Sequence, residues 1–191
     1  MIYQFKITLK GIEPPIWRSL LVDPTMAMDE LHYVIQSVMG WDSEYEYQFS
    51  SGKRKIIDPE VEGEEDDEFA PDILIGQAFR KAGDKWLYLY DFEDNWEHEI
   101  VLEKIVEMEP GVEYPVCTDG ARACPFEGCG GTVSYLNLLA ILKNPKDPGY
   151  AELKESLGDF DPEEFDKDLV NEELHDPENW VDEDEDDDEA N

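Results

Sequence analysis

Residues 2–10 alternate without a break, with Tyr3, Phe5, Ile7 and Leu9 on one face and Gln4, Lys6, Thr8 and Lys10 on the other. Successive side chains of a strand point to opposite sides, so such a stretch buries its apolar set only as a half-covered β-strand. Residues 11–15 interrupt the pattern, and residues 16–22 read as a second strand, paired with the first as a hairpin. The period then changes. Met28, Leu31, Ile35 and Val38 recur at helical spacing, Asp29 and Glu30 lie in the first turn where the helix dipole favours carboxylates, and Gly40 supplies a stop. Tyr45, Tyr47 and Phe49 return to the two-residue period as a third strand. Further strands are expected over 85–92 and 96–108, with an acidic loop over 58–68 and a short helix over 72–81 before them. Residues 110–131, which hold all three cysteines, read as irregular. Helices follow around 135–142, 150–157 and 162–174. Strands, a helix, more strands and then helices predict an α+β fold. Its sheet is largely antiparallel, begun by a ββα unit and followed by C-terminal helices.

The chain of 191 residues is 41% hydrophobic and 12% aromatic, enough for one cored domain, expected over 1–175. Residues 176–191 read as a disordered acidic tail, because the run from Asp182 to Glu189 contains only acids. With 49 acidic against 15 basic residues the net charge is −34, and duplex phosphate is repelled by such a field. Direct nucleic-acid binding is not expected. Solubility is the plain meaning of the acidity, and a basic protein partner is the sharper one. The longest apolar-rich run is too short to span a bilayer. Three cysteines in a domain of this size need no disulfide, so a reduced, cytoplasmic setting is expected.

Chemistry-bearing residues concentrate in two places. Residues 88–100, YLYDFEDNWEHEI, read as a hairpin with Asp94 and Asn95 as a two-residue turn. Asp91 then faces His98 across the strands, on the side carrying Leu87, Leu89, Ile100 and Leu102. A carboxylate beside an imidazole fits a general base, or a metal ligand with its supporting carboxylate. It equally fits a buried cross-strand pair that fixes register. If the loop holds four residues, His98 faces Leu89 instead. Cys117, Cys124 and Cys129 lie six and four residues apart. With His98 they make a candidate four-ligand zinc set, although the tight CxxC turn usual for zinc is absent. Otherwise they are three small buried thiols. Gly130, Gly131 and Thr132 precede a helix and could offer backbone N–H groups to an anion. Trp17 and Arg18 read as structural, His32 and Trp41 as flanking the helix packing surface, and His175 as exposed.

The segments IEPPIWR (12–18), LHYVIQSVMGW (31–41), YLYDFEDNWEHEI (88–100), CTDGARACPFEGCGGTVSYLNLL (117–139) and FDPEEFD (160–166) together resemble the plasmid pRiA4b ORF-3-like family. That family is also labelled transposon-passenger or TnpR-like. The resemblance implies a plasmid- or transposon-associated protein without an assigned chemistry. Where the family pattern carries histidines, this chain has Tyr45 and Tyr47, so a metal role resting on those histidines does not transfer. A resolvase activity is not expected, since an Arg-rich active site and a basic DNA-binding region are missing. Two functions follow. One is a non-catalytic binding or accessory protein whose acidic surface suits a basic protein. The other is a metal-dependent enzyme, such as a hydrolase, centred on Asp91, Asp94 and His98.

Overall fold

The computed structural model describes residues 1–176. The acidic tail expected over 176–191 lies, from residue 177 on, outside the described residues. The strands are β1 (Ile2–Leu9), β2 (Ile16–Val22), β3 (Tyr47–Ser51), β4 (Arg54–Ile57), β5 (Glu68–Phe69), β6 (Lys85–Tyr90), β7 (Trp96–Val106) and β8 (Val116–Ala121). They form one sheet in the order β5-β4-β3-β6-β7-β1-β2-β8, antiparallel except for the β4–β5 pair. The helices are α1 (Met28–Met39), α2 (Ile75–Ala78), α3 (Gly131–Leu142), α4 (Tyr150–Leu157) and α5 (Lys167–Leu174). This is the expected α+β arrangement.

Alternation decides which face is covered. Phe5, Ile7 and Leu9 of β1, Ile16, Leu20 and Val22 of β2, and Trp96, Ile100 and Leu102 of β7 are buried. They pack with Leu31, Ile35 and Val38 of α1 in one core. The opposite face carries Gln4, Lys6, Glu97 and Glu99, with Lys10 paired to Glu97 at 2.6 Å and Lys85 to Glu99 at 3.0 Å. An antiparallel sheet can leave one face to water in this way. Helix α1 begins with the Glu30 carboxylate accepting from the Ala27 amide at 2.6 Å and ends at Gly40 with φ 72°. That left-handed stop favours glycine.

Some elements differ from expectation. The helix expected over 72–81 is a 3-10 turn at Ala70–Asp72 followed by the single turn of α2. The short strands β4 and β5 flank the acidic loop, and α5 starts at Lys167, after an irregular stretch. Strand β8 lies inside the segment expected to be irregular. Its sequence, VCTDGA, has weak strand propensity and no alternation. Tertiary pairing makes it a strand: β2 offers an open edge, and Asn171 of α5 covers the outer side of Cys117. The Asn171 carboxamide accepts from the Cys117 amide at 2.8 Å and donates to the Cys117 carbonyl at 2.9 Å, as a neighbouring strand would. Among the described residues, no helix is long and apolar enough to cross a membrane.

Candidate functional site

The β6–β7 hairpin closes at Tyr90 opposite Trp96, leaving a five-residue loop, 91–95. Asp91 and Asn95 have φ of 55° and 54°. Aspartate and asparagine tolerate that region and bond to their own backbone, which favours this longer loop over a two-residue turn. The Asp91 carboxylate accepts from the amides of Glu93 at 2.9 Å and Asp94 at 3.1 Å. The Asn95 side chain donates to the carbonyls of Phe92 and Glu93. Asp91 is therefore committed to its own loop, and His98 faces Tyr88 across the strands, neither Asp91 nor Leu89. Trp86, Tyr88 and Tyr90 share the buried face with His98, while Leu87 and Leu89 are on the other side.

His98 is fully buried. Its Nδ1 donates to the Trp96 carbonyl at 3.2 Å, and Nε2 has no protein partner. The Trp41 and Tyr88 rings close over it, each with its centroid 5.4 Å away. His32 of α1 stacks on Tyr47 at 3.8 Å, and its Nδ1 lies 2.7 Å from the Tyr88 hydroxyl, to which Gln36 also donates at 2.7 Å. Burial pushes both imidazoles down to about 3. A base sealed from solvent and held neutral takes no proton from a substrate at the surface.

The cysteines are not gathered with His98. Cys117 faces the core from β8, opposite Leu20, and burial pushes its thiol up to about 11. Cys124 accepts from Arg18 Nη2 at 3.0 Å and lies 3.2 Å from Met39 Sδ. Cys129, half-buried before α3, has its thiol raised by burial and by the nearby Asp94 carboxylate. Among the described residues, no group of three or more His, Cys, Asp or Glu side chains is placed to hold a metal ion. The expected anion-binding turn is also taken: the Gly130 amide donates to Asp94 Oδ2 at 2.9 Å, so the chain's own carboxylate occupies the start of α3.

The structure instead joins the segments that carry the resemblance into one end of the sheet. Trp41 Nε1 donates to the Pro125 carbonyl at 2.9 Å, and the Asp42 amide donates to Glu127 at 2.7 Å. The Tyr90 hydroxyl donates to the other oxygen of Glu127. Burial, then this bond and the Glu127 charge, raise the Tyr90 phenol far above its ordinary value. Beneath the loops, the buried guanidinium of Arg18 donates to the carbonyls of Val38 (3.0 Å), Trp17 (2.9 Å), Ala121 (3.1 Å) and Arg122 (3.0 Å). Its plane lies over Phe165 at 4.5 Å. Arg122 in turn pairs with Glu163 at 3.0 Å and donates to the Pro14 carbonyl at 2.5 Å. Arg18 is the organising residue that a sequence reading of Trp17 and Arg18 as merely structural leaves unlocated. Its signal was its phase: it shares the buried face of β2 with Ile16, Leu20 and Val22.

At the surface of this end, Tyr45, Phe92 and Phe126 are 38%, 39% and 41% exposed. Partial desolvation and the field of Glu44, Asp91, Glu127 and Asp94 raise the Tyr45 phenol, so four carboxylates act on one exposed ring. His175 lies away from this end, at the end of α5, exposed, with Nδ1 2.7 Å from the Asn171 carbonyl.

Gly131 sets how closely α3 docks on the hairpin. Its φ is 75°, and a Cβ there would lie 2.5 Å from the Asp94 carbonyl oxygen. Gly131→Ala is expected to cost about 3 kcal/mol, from backbone strain and the forced separation of the two loops. Urea unfolding measures it, and a loss under about 0.5 kcal/mol would show that the contact is loose.

The family described as Plasmid pRiA4b ORF-3-like protein matches residues 1–169. An uncharacterized protein, y4hQ, of Sinorhizobium fredii is 31% identical over 161 residues, covering 84% of this chain and 82% of that protein. The crystal structure of a protein of unknown function, MM3350, from Methanosarcina mazei Go1 superposes with a TM-score of 0.79 at 35% identity. That match covers 87% of this chain and 96% of the other.

Proposed function

The chain belongs to the plasmid pRiA4b ORF-3-like protein family, and from that premise we propose that it is a non-catalytic accessory protein that binds a basic protein partner at the loop end of its sheet. The observation that supports this is the exposed Tyr45 ring, which packs edge-on against Tyr90, whose hydroxyl donates to Glu127, while the charges of Glu44, Asp91 and Asp94 also act on its phenol. Carboxylates attract lysine and arginine over a distance, and an aromatic face takes the cation at contact. The loops beneath are braced by Arg18, the Asp94–Gly130 bond and Glu127, so the surface is ordered before a partner arrives. Catalysis finds less support, since Asp91 serves its own loop and His98 is sealed in the core. That the partner belongs to a plasmid- or transposon-borne system is part of the same proposal.

Fluorescence anisotropy with a labelled peptide rich in Lys and Arg tests the proposal against a neutral peptide of equal length. Binding should weaken with salt, and the double variant Glu44→Lys, Tyr45→Ala should weaken it about tenfold or more. Glu155→Lys on α4 should leave most of the affinity. Equal losses from both changes would mean that the peptide senses only net charge, and the proposal would fall.

A further inference from the structure

Helix α3 contains no Asp, Glu, Lys or Arg in its 12 residues, in a chain of which 34% is charged. Tyr135 and Leu139 turn into the core, and Leu138 packs against it. The other side carries Val133, Leu136, Asn137 and Ala140, all exposed and spaced as one helical stripe. Val133 is 81% exposed and Leu136 39%. Charge of opposite sign flanks the two ends of this stripe. At the start of α3, the β1–β2 loop brings Gly11 against Thr132, and the 91–95 loop brings the Asp94 carbonyl against Gly131. These two loops carry Glu13 and Glu93, both exposed. Beyond the last turn stand Lys143 and Lys146, also exposed.

An apolar stripe with an acidic start and a basic end is complementary to itself when reversed. We infer that α3 is the contact of a homodimer, in which a second copy of the chain lays its own α3 antiparallel across the stripe. The reversal brings Lys143 and Lys146 of each copy towards Glu13 and Glu93 of the other, and it opposes the two helix dipoles. A basic partner meets repulsion at the lysine end and an acidic one at the glutamate end, whereas a reversed copy meets neither. Elsewhere two chains of net charge −34 repel each other, so an uncharged helix is where their surfaces can approach. The stripe runs along about 18 Å of helix, and its footprint falls short of the standard interface of about 1,600 Å². The dimer is therefore weak, with a dissociation constant on the order of 0.1 mM. The inference goes beyond the loop-end proposal, which rests on Tyr45, Tyr90 and Glu127.

Sedimentation equilibrium of the full chain, from about 10 μM to about 1 mM at physiological ionic strength, should fit a monomer–dimer equilibrium. Val133→Glu should weaken it at least about tenfold, because an unpaired carboxylate enters the contact. The urea midpoint should not fall in this variant, since the side chain is exposed and a carboxylate suits the first turn of a helix. Glu155→Gln, on α4, should leave the dimer unchanged. The charge pairs are tested by exchange. Lys143→Glu and the double variant Glu13→Lys, Glu93→Lys should each dimerise at least about threefold more weakly alone. An equimolar mixture of the two should regain the wild-type affinity, because every cross pair is again of opposite sign. A chain that stays monomeric to about 1 mM, a dimer indifferent to Val133→Glu, or a mixture no tighter than its components would overturn the inference, the last by excluding the antiparallel arrangement.

Discussion

Lowering the pH from 7 to 5 should remove about 4 kcal/mol of stability through His32 and His98 alone. Burial holds both folded imidazoles at about 3, against an ordinary value of 6.5. For His98, bonds to the backbone of Trp96 and Tyr88 oppose the burial effect only in part. Below 6.5 the unfolded chain binds protons that the folded chain refuses, so stability falls as the pH falls. The loss grows by about 1.4 kcal/mol per pH unit for each histidine until the pH nears 3. Carboxylate protonation acts in the opposite direction, since it relieves self-repulsion and burial raises Asp58, so the histidine variants and not the interval alone assign the loss. Urea midpoints at the two pH values measure the effect, and the comparison with His32→Gln and His98→Gln assigns it. Each substitution should lower stability at pH 7 and roughly halve the loss on going to pH 5. A wild-type stability flat across this interval would mean that the two imidazoles accept protons in the folded state, and that the core beneath α1 is wetter than its packing indicates.

Replacing Arg18 by Met should cost about 4 kcal/mol, with the loss centred on the loop end. The guanidinium satisfies four carbonyls from three segments: Trp17 of β2, Val38 of α1, and Ala121 and Arg122 at the end of β8. Methionine matches the stem but leaves buried acceptors unpaired, each a cost of about 1–3 kcal/mol that partial access of water reduces. Arg18→Lys should recover less than half of the loss, because an ammonium has three donors in a compact head and cannot span the fork. Hydrogen exchange gives the spatial signature: the amides of β8 and of residues 122–131 should open well before those of β1 and β7. Uniform loss of protection across the sheet, or a cost below about 1 kcal/mol, would show that Arg18 does not join the loops.

Several elements were legible because their determinants are local. The strict alternation of residues 2–9, the helical period closed by Gly40, and the pattern of residues 96–102 each commit a face to the core before any partner strand is known. Other elements depend on neighbours remote in the chain. Strand β8 exists because β2 has a free edge and Asn171 covers the far side, and neither condition is written in VCTDGA. The candidate site divides the same way. His98 was recognisable as inward-facing from its phase among Trp96, Ile100 and Leu102, but its partner was not. The register of a hairpin is set by its loop, and the self-bonding of Asp91 and Asn95 lengthened that loop and moved Asp91 out of reach. The end of the sheet where Tyr45 meets Tyr90 and Glu127 was decided by tertiary structure alone. Composition set how many acids this protein carries, and the pairing of strands set where they meet, because charge is a property of residues and concentration of charge is a property of the fold.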